Sequence, residues 1–294
     1  VGPDGTVYVP SQREGQPYRD FELDGATGRP KRVIEQPASA LVPGTQHTLF
    51  LGCQQLFAVD VATGKQVRIF TPPRKAGDER SSGDGHVEAL ASLPHTLYAV
   101  FGCPDSTLDA LDANTGRRQW AVSLDRSGEF PCSVPASLIV TGDGIPIVSL
   151  LNAALCAYDP RTGRLLWRLP SLGGFRPAQL QVGPGNVLYA GNDQGTVSAL
   201  DARTGARIWE RSLGAKISHP PVVSPQGVLY VGTNANKVYA LNAATGATRW
   251  SVPLGGLSRD FIPGYGEDVS LALGPNGTVC AASSNGQIEA LHSP

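Results

Sequence analysis

One phrase recurs along the chain and limits what it can fold into: a short, mostly apolar pair, then Asp or Asn, two variable residues, and Thr-Gly. It reads Glu22-Leu23-Asp24 to Thr27-Gly28, Ala58-Val59-Asp60 to Thr63-Gly64, Ala110-Leu111-Asp112 to Thr115-Gly116, and Ala157-Tyr158-Asp159 to Thr162-Gly163. It returns at Ala199-Leu200-Asp201 to Thr204-Gly205 and Ala240-Leu241-Asn242 to Thr245-Gly246, and a seventh copy opens at Ala290-Leu291. Ahead of each lies a β-branched and aromatic run, such as Thr6-Val7-Tyr8-Val9, Val187-Leu188-Tyr189-Ala190 or Thr278-Val279-Cys280-Ala281. Seven units in 294 residues give a period of about 42, the spacing of propeller blades.

Each unit reads as four antiparallel strands, A to D. In the sixth unit, strand A is Pro221-Val222-Val223, and Pro225-Gln226-Gly227 turns into strand B from Val228 to Gly232. Asn234-Ala235-Asn236 then turns into strand C, Val238 to Leu241, and the Asp-x-x-Thr-Gly phrase leads to strand D. Short alternating runs between turn residues at this spacing are the all-β pattern. In the phrase, the Asp or Asn oxygen can accept backbone N–H bonds within the turn, and Gly takes the positive φ. A calcium loop gathers several oxygens, whereas this phrase supplies one carboxylate, so a hairpin turn is the expectation. Trp120, Trp167, Trp209 and Trp250 each lie four residues after a repeat glycine, and Arg32 and Arg68 hold that place in the first two units. Rings placed so regularly are structural: they fill the gap between neighbouring blades.

Composition narrows the function. Lys+Arg number 24 against 25 Asp+Glu, a net charge of −1 with no Lys/Arg run, so no nucleic-acid partner is expected. No apolar stretch approaches the ~20 residues of a transmembrane helix. The five cysteines (Cys53, Cys103, Cys132, Cys156, Cys280) form no CxxC pair, which leaves no zinc or thioredoxin motif. Cys103 at the end of a B strand and Cys132 in a D–A connection are the preferred disulfide pair, implying an oxidising compartment. Cys156 and Cys280 fall inside strands and are expected to be small buried hydrophobes.

The joined pattern from Val238-Tyr239-Ala240-Leu241-Asn242 through Thr245-Gly246 to Trp250 resembles the PQQ-like repeat with its tryptophan-docking motif. The resemblance covers essentially the whole chain and implies a seven-bladed β-propeller of four-stranded antiparallel blades. That family includes quinoprotein dehydrogenases and BamB-type outer-membrane assembly lipoproteins. The enzymes hold PQQ between a tryptophan floor and a disulfide of adjacent cysteines, with calcium and a catalytic Asp. Here no two cysteines are adjacent and every Trp is already placed between blades, so no cofactor is expected. The BamB-type branch, whose members hold a partner protein through loops on one face, is the nearer resemblance. It departs in its scattered cysteines and in seven units where eight are usual.

The blades are expected at about 1–35, 36–79, 86–126, 132–172, 177–214, 219–256 and 267–294, in one domain. Val1-Gly2-Pro3-Asp4-Gly5 aligns with the end of a strand A, and Pro294 follows a strand C. One blade therefore lacks strand D and another most of strand A, and residues upstream of Val1 are expected to close the ring. The B–C turns and D–A connections share one face, with long connections at Thr71 to His86, Asp125 to Cys132 and Gly255 to Glu267, and a long B–C loop from Ser11 to Asp20. Long loops on a rigid scaffold are where binding is found. The candidate binding residues of the channel mouth, placed just before each strand A, are His86, Glu88, Arg176, His219, Glu267 and Asp268. Phe130, Phe175, Phe261 and Tyr265 join them on the same connections.

A metal site from His86, His219 and an acid would need three blades to cooperate, and none is expected. Ser81, Ser82, Asp84 and His86 are the nearest approach to a nucleophile–base set, in a glycine-rich loop that would hold them poorly. The residues thus point to a non-enzymatic binding or scaffold propeller, periplasmic, outer-membrane-associated or secreted. Its partner is a protein, with a peptide or carbohydrate as a further ligand. The alternative is a lyase, hydrolase or small quinoprotein acting at the channel mouth.

Overall fold

A computed structural model of the chain describes residues 7–11, 19–24, 27, 29–34, 40–44, 48–52, 55–60, 63, 65–70, 86–102, 106–124, 135–150, 154–170, 172, 179–254, 268–274, 277–283 and 288–291. Among these residues the chain forms seven sheets. The first has three strands, β1 (Val7–Ser11), β2 (Arg19–Leu23) and β3 (Pro30–Ile34). The second pairs β4 (Ala40–Pro43), β5 (Thr48–Gly52), β6 (Leu56–Asp60) and β7 (Gln66–Phe70). The third holds β8 (Val87–Ser92), β9 (Thr96–Phe101), β10 (Thr107–Asp112) and β11 (Arg118–Ser123). The fourth holds β12 (Pro135–Val140), β13 (Pro146–Leu150), β14 (Leu155–Tyr158) and β15 (Leu165–Leu169). The fifth holds β16 (Gln179–Val182), β17 (Val187–Gly191), β18 (Thr196–Asp201) and β19 (Arg207–Ser212). The sixth holds β20 (Val222–Val223), β21 (Val228–Thr233), β22 (Lys237–Asn242) and β23 (Thr248–Pro253). The seventh has three strands, β24 (Val269–Leu273), β25 (Val279–Ser283) and β26 (Ile288–Leu291).

Strands pair with their chain neighbours, antiparallel as hairpins require. By compactness the chain divides into one unit of Val1–Pro135 with Arg161–Gly163 and another of Ala136–Pro160 with Arg164–Pro294. In the first unit, Phe50, Leu56, Val87, Leu97, Phe101 and Leu111 form a core between the second and third sheets. In the second unit, Ile147, Leu155, Leu188 and Leu200 join the fourth and fifth sheets, and Ile217, Leu229, Val231 and Leu241 join the fifth and sixth. Central strands such as β13 and β21 are buried along their whole length, so they read as unbroken apolar runs rather than alternating ones. The D strands β11, β19 and β23 are largely exposed.

The recurring turn folds as its chemistry dictates. Asp112 Oδ1 accepts from the Thr115 amide at 2.8 Å, the Thr115 hydroxyl at 2.8 Å and the Asn114 amide at 3.1 Å. Thr115 Oγ1 accepts from Arg117 N at 3.3 Å, and Gly116 N donates to Asp112 O at 2.9 Å. The bonds from the Thr amide and hydroxyl recur at Asp24, Asp60 and Asp201, and in the sixth repeat Asn242 accepts from Ala244 N and Thr245 N. The Thr115 amide and then its hydroxyl hold the Asp112 carboxyl below its ordinary value, and the Thr204 hydroxyl and amide do the same for Asp201. A depressed carboxyl stabilises the fold above its unfolded value, and that stabilisation is lost as pH falls through the folded value. An Asp112→Asn/Asp201→Asn double variant, imitating Asn242, is therefore expected to melt with a flatter dependence below about pH 4 than the parent. Circular dichroism melts from pH 5 to pH 2 check this; parallel acid limbs contradict it.

The sheets depart from the expected pattern in three places. Arg32 pairs with Glu22 as the repeat requires, but in the second sheet Val67, not Arg68, faces Ala58. The register shift that falls between Ala and Leu in the third, fifth and sixth sheets, and between Ala157 and Tyr158 in the fourth, falls between Leu56 and Phe57 here, and a single bulge moves the register by one. Cys156 is buried as expected, whereas Cys280 is exposed. Cys280 holds the place of Tyr98, Tyr189 and Tyr230, facing Ala290 across the strands, and Ala272 and Ala290 beside it are exposed as well. Among the described residues this sheet has three strands and no indole. Glu88, expected just before strand A, lies inside β8.

Candidate functional site

Of the residues assigned to the channel mouth, His86 and Asp268 directly precede a strand A, Glu88 lies inside one, and His219 lies in the connection before one. In the first unit, His86 precedes β8 and its carbonyl accepts from Gly102 N at 2.9 Å. Glu88 is an inserted residue: Val87 pairs with Phe101 and Ala89 with Val100, leaving Glu88 without a partner in β9. Such a bulge re-aims a side chain. It turns Glu88 over Gly102, where an added Cβ would come within 2.6 Å of Oε1, and brings Oε1 to 2.7 Å from His86 Nε2. The imidazole is half exposed and the carboxylate largely covered. His86 is thereby engaged by an acid of its own strand; Ser81, Ser82 and Asp84 lie outside the described residues.

In the second unit, His219 sits in the connection between β19 and β20, and Asp268 directly precedes β24. The connection is anchored by Ile217 N to Asn192 O at 3.0 Å and by Asn234 N to Lys216 O at 2.9 Å. Ile217 fills the space that a Cβ on Gly191 would take. Ser218 Oγ and His219 Nδ1 are buried without a hydrogen-bond partner among the described residues. Buried polar atoms normally find partners, and ones this enclosed can reach a ligand only if the connection shifts. Among the described residues no cluster of three or more His, Cys, Asp or Glu stands in metal-binding array. Phe130, Phe175, Arg176, Phe261, Tyr265 and Glu267 lie outside the described residues, as do Cys103 and Cys132.

The four indoles sit between sheets. Trp120, Trp209 and Trp250 lie 5.8, 6.0 and 5.9 Å by ring centroid from Tyr98, Tyr189 and Tyr230 of their own sheets. The rings of Trp120, Trp167 and Trp209 also meet the next repeat's turn: a Cβ on Gly163, Gly205 or Gly246 would come within 2.7, 2.8 and 2.6 Å of them respectively. Trp167 Nε1 donates to Ala202 O and Trp209 Nε1 to Ala243 O, both at 3.0 Å. At Gly116 the neighbour is Ile69, not an indole.

The second-to-third junction holds a group that the repeat pattern gave no reason to single out. Asp109 on β10 is buried; Arg118 reaches its Oδ2 at 3.3 Å and stacks over Phe70 at 5.9 Å. Its Oδ1 has no partner among the described residues. Burial pushes the Asp109 carboxyl up, against bonds from Thr107 and Arg118 that lower it. A raised carboxyl makes the ionised form costly in the fold, so its contribution improves as pH falls from the folded value toward the unfolded one. Asp109→Asn keeps the acceptor and removes the buried charge. It is expected to melt at or above the parent at pH 7 and to lose that gain on acidification. Arg118→Met strands the carboxylate and is expected to cost about 2 kcal/mol. Urea unfolding at pH 7 separates the two, and equal losses would contradict the assignment.

No helix among the described residues is long and apolar enough to cross a membrane. Compared with curated proteins, the chain is 35% identical over 72 residues to quinoprotein alcohol dehydrogenase PedE of Pseudomonas putida, covering 23% of this chain and 11% of that enzyme. Compared with solved structures, it resembles the computationally designed Ika8 protein with a TM-score of 0.72 at 17% identity, covering 99% of this chain and 81% of the other. It resembles BamB from Moraxella catarrhalis with a TM-score of 0.63 at 18% identity, covering 98% and 82%. The family described as outer membrane protein assembly factor BamB matches residues 3–184 and 193–291. With seven successive antiparallel sheets built on one turn, the chain is an all-β propeller of PQQ-like repeats, and it belongs to the BamB family.

Proposed function

We propose that this chain is a non-catalytic binding propeller that presents its connecting-loop face to a protein partner outside the cytoplasm, in a bacterial envelope or as an exported sensor domain. The reading takes 1–294 as one domain and assigns His86, Glu88, Phe130, Phe175, Arg176, His219, Phe261, Tyr265, Glu267 and Asp268 to that face. The observation that carries it is the family match along nearly the whole chain. The tryptophans support it, because Trp120, Trp167, Trp209 and Trp250 all pack against neighbouring strands or turns, away from the flat floor a quinone would need. A pairing of Cys103 with Cys132 would fit an oxidising compartment.

Cross-linking capture from an envelope extract tests the reading, comparing the intact chain with one shortened between Thr71 and His86. One protein recovered with the intact chain and lost on shortening is expected. Capture that survives shortening removes the loop face from the account. The enzymatic alternative draws on the short PedE match. Reconstitution with PQQ and calcium tests it: quinone-dependent dye reduction with an alcohol would replace the binding reading.

A further inference from the structure

The junction between the second and third sheets is built differently from the junctions that follow it. Val67, not an indole, faces Ala58, and Gly116 meets Ile69 where Gly163, Gly205 and Gly246 meet tryptophans. Two rings and an ion pair stand there instead. Phe70 of the second sheet lies 5.5 Å by ring centroid from Phe101 of the third. Arg118 stacks over Phe70 and reaches Asp109 Oδ2 at 3.3 Å. The fourth, fifth and sixth sheets carry Cys156, Ser198 and Tyr239 in the place of Asp109.

Asp109 is 1% exposed, its Oδ1 has no partner among the described residues, and the Arg118 side chain is 40% exposed. The residues opposite Asp109 on β9 and β11 are Ala99 and Ala121. Phe50, Leu56 and Ala58 meet the third sheet from the second, and Arg68 on β7 pairs with Phe57, which packs on Leu49 and Leu51. At β8, His86 and Glu88 engage each other at 2.7 Å. Among the described residues Arg118 is thus the charged group that meets Asp109. An ionised carboxylate held this way lacks the solvation that water would give Oδ1, and local opening of the junction restores it. A protonated one carries no such charge, and the contact of Phe70 with Phe101 holds without it. We propose that Asp109 is a proton-operated clasp between the second and third sheets, released when the carboxyl ionises and fastened when it takes up a proton. Burial, the largest influence on this carboxyl, raises it above its ordinary value against bonds from Thr107 and Arg118, as a closed form that prefers the proton requires. Phe70 ends β7, so the clasp sits where the chain leaves the second sheet.

Hydrogen exchange on the full chain in steps from about pH 8 to about pH 5, corrected for the intrinsic pH dependence of amide exchange, tests the proposal. Protection of Leu56–Asp60, Gln66–Phe70 and Thr107–Asp112 should rise about tenfold on acidification, while Val228–Thr233 in the sixth sheet stays level. Asp109→Asn, which cannot ionise, should show the acid level of protection throughout. Arg118→Gln removes the cation that favours the carboxylate, so the rise should move to higher pH. His86→Gln should keep the rise, because that imidazole is engaged with Glu88 and not with Asp109. A flat profile in the parent, a rise shared by the sixth sheet, or a rise that persists in Asp109→Asn overturns the clasp. So does a midpoint that Arg118→Gln leaves in place. Loss of the rise in His86→Gln would overturn it by assigning the response to the His86 and Glu88 pair.

Discussion

Replacing Trp209 with alanine is expected to lower the unfolding free energy by about 4 kcal/mol, the range for a large aromatic removed from a packed site. The ring touches Tyr189 of its own sheet and the turn at Gly246 of the next, so its loss opens a gap that neither backbone can close. Part of the loss is polar. Trp209 Nε1 and the Tyr189 hydroxyl both donate to Ala243 O, at 3.0 and 3.1 Å. Trp209→Phe keeps most of the buried area and one of these two bonds, so it should cost much less than alanine, about 1 kcal/mol of it from the lost hydrogen bond. Urea titrations followed by tyrosine and tryptophan fluorescence read both variants. A loss below about 1 kcal/mol for alanine would mean that the ring is not holding the two sheets together.

The second large effect comes from the other side of the same contact. Gly246 has φ +70, and a Cβ there would lie 2.6 Å from the Trp209 ring. Gly246→Val is expected to cost about 4 kcal/mol, combining a left-handed backbone penalty with overpacking. Gly185 separates the two terms: its φ is also +70, but nothing lies within 4 Å of an added Cβ. Gly185→Val should therefore cost only the backbone part, about 1–2 kcal/mol. Combining Gly246→Val with Trp209→Ala should cost less than the sum, because the truncated ring leaves room for the new side chain. The coupling expected from groups in contact is about 2 kcal/mol. Full additivity would show that the clash is relieved elsewhere.

How much of this was legible in the sequence depended on whether the cause was local. The Asp-x-x-Thr-Gly turns were readable because their hydrogen bonds close within five residues, as at Asp112 to Gly116. The pairing partners of strands B and C followed from the phrase spacing. That Gly163, Gly205 and Gly246 serve the tryptophan of the preceding sheet was not readable, because the contact joins residues some 35–45 positions apart. The bulge at Glu88 and the register of Val67 escaped for another reason: one inserted residue leaves the apolar pattern almost unchanged while moving every pairing beyond it. Asp109 sits where other repeats carry Cys156, Ser198 or Tyr239, and its burial depends on Arg118 and Phe70 from two different sheets. That His86 and Asp268 precede a strand A is readable from the repeat, whereas the approach of Glu88 to His86 depends on a bulge that one inserted residue creates.

The indole-on-glycine contact also sets where this chain can be cut and rejoined. An indole encoded in one repeat finishes its packing on the turn of the repeat that follows, so a segment excised from strand A to strand D leaves with a key and without its lock. A transplantable module would instead start and stop in the C–D turn just after its glycine, carrying Trp167 together with Gly205, or Trp209 together with Gly246. Shuffling repeats in that frame preserves each fastening intact, whereas shuffling whole sheets breaks one at every join.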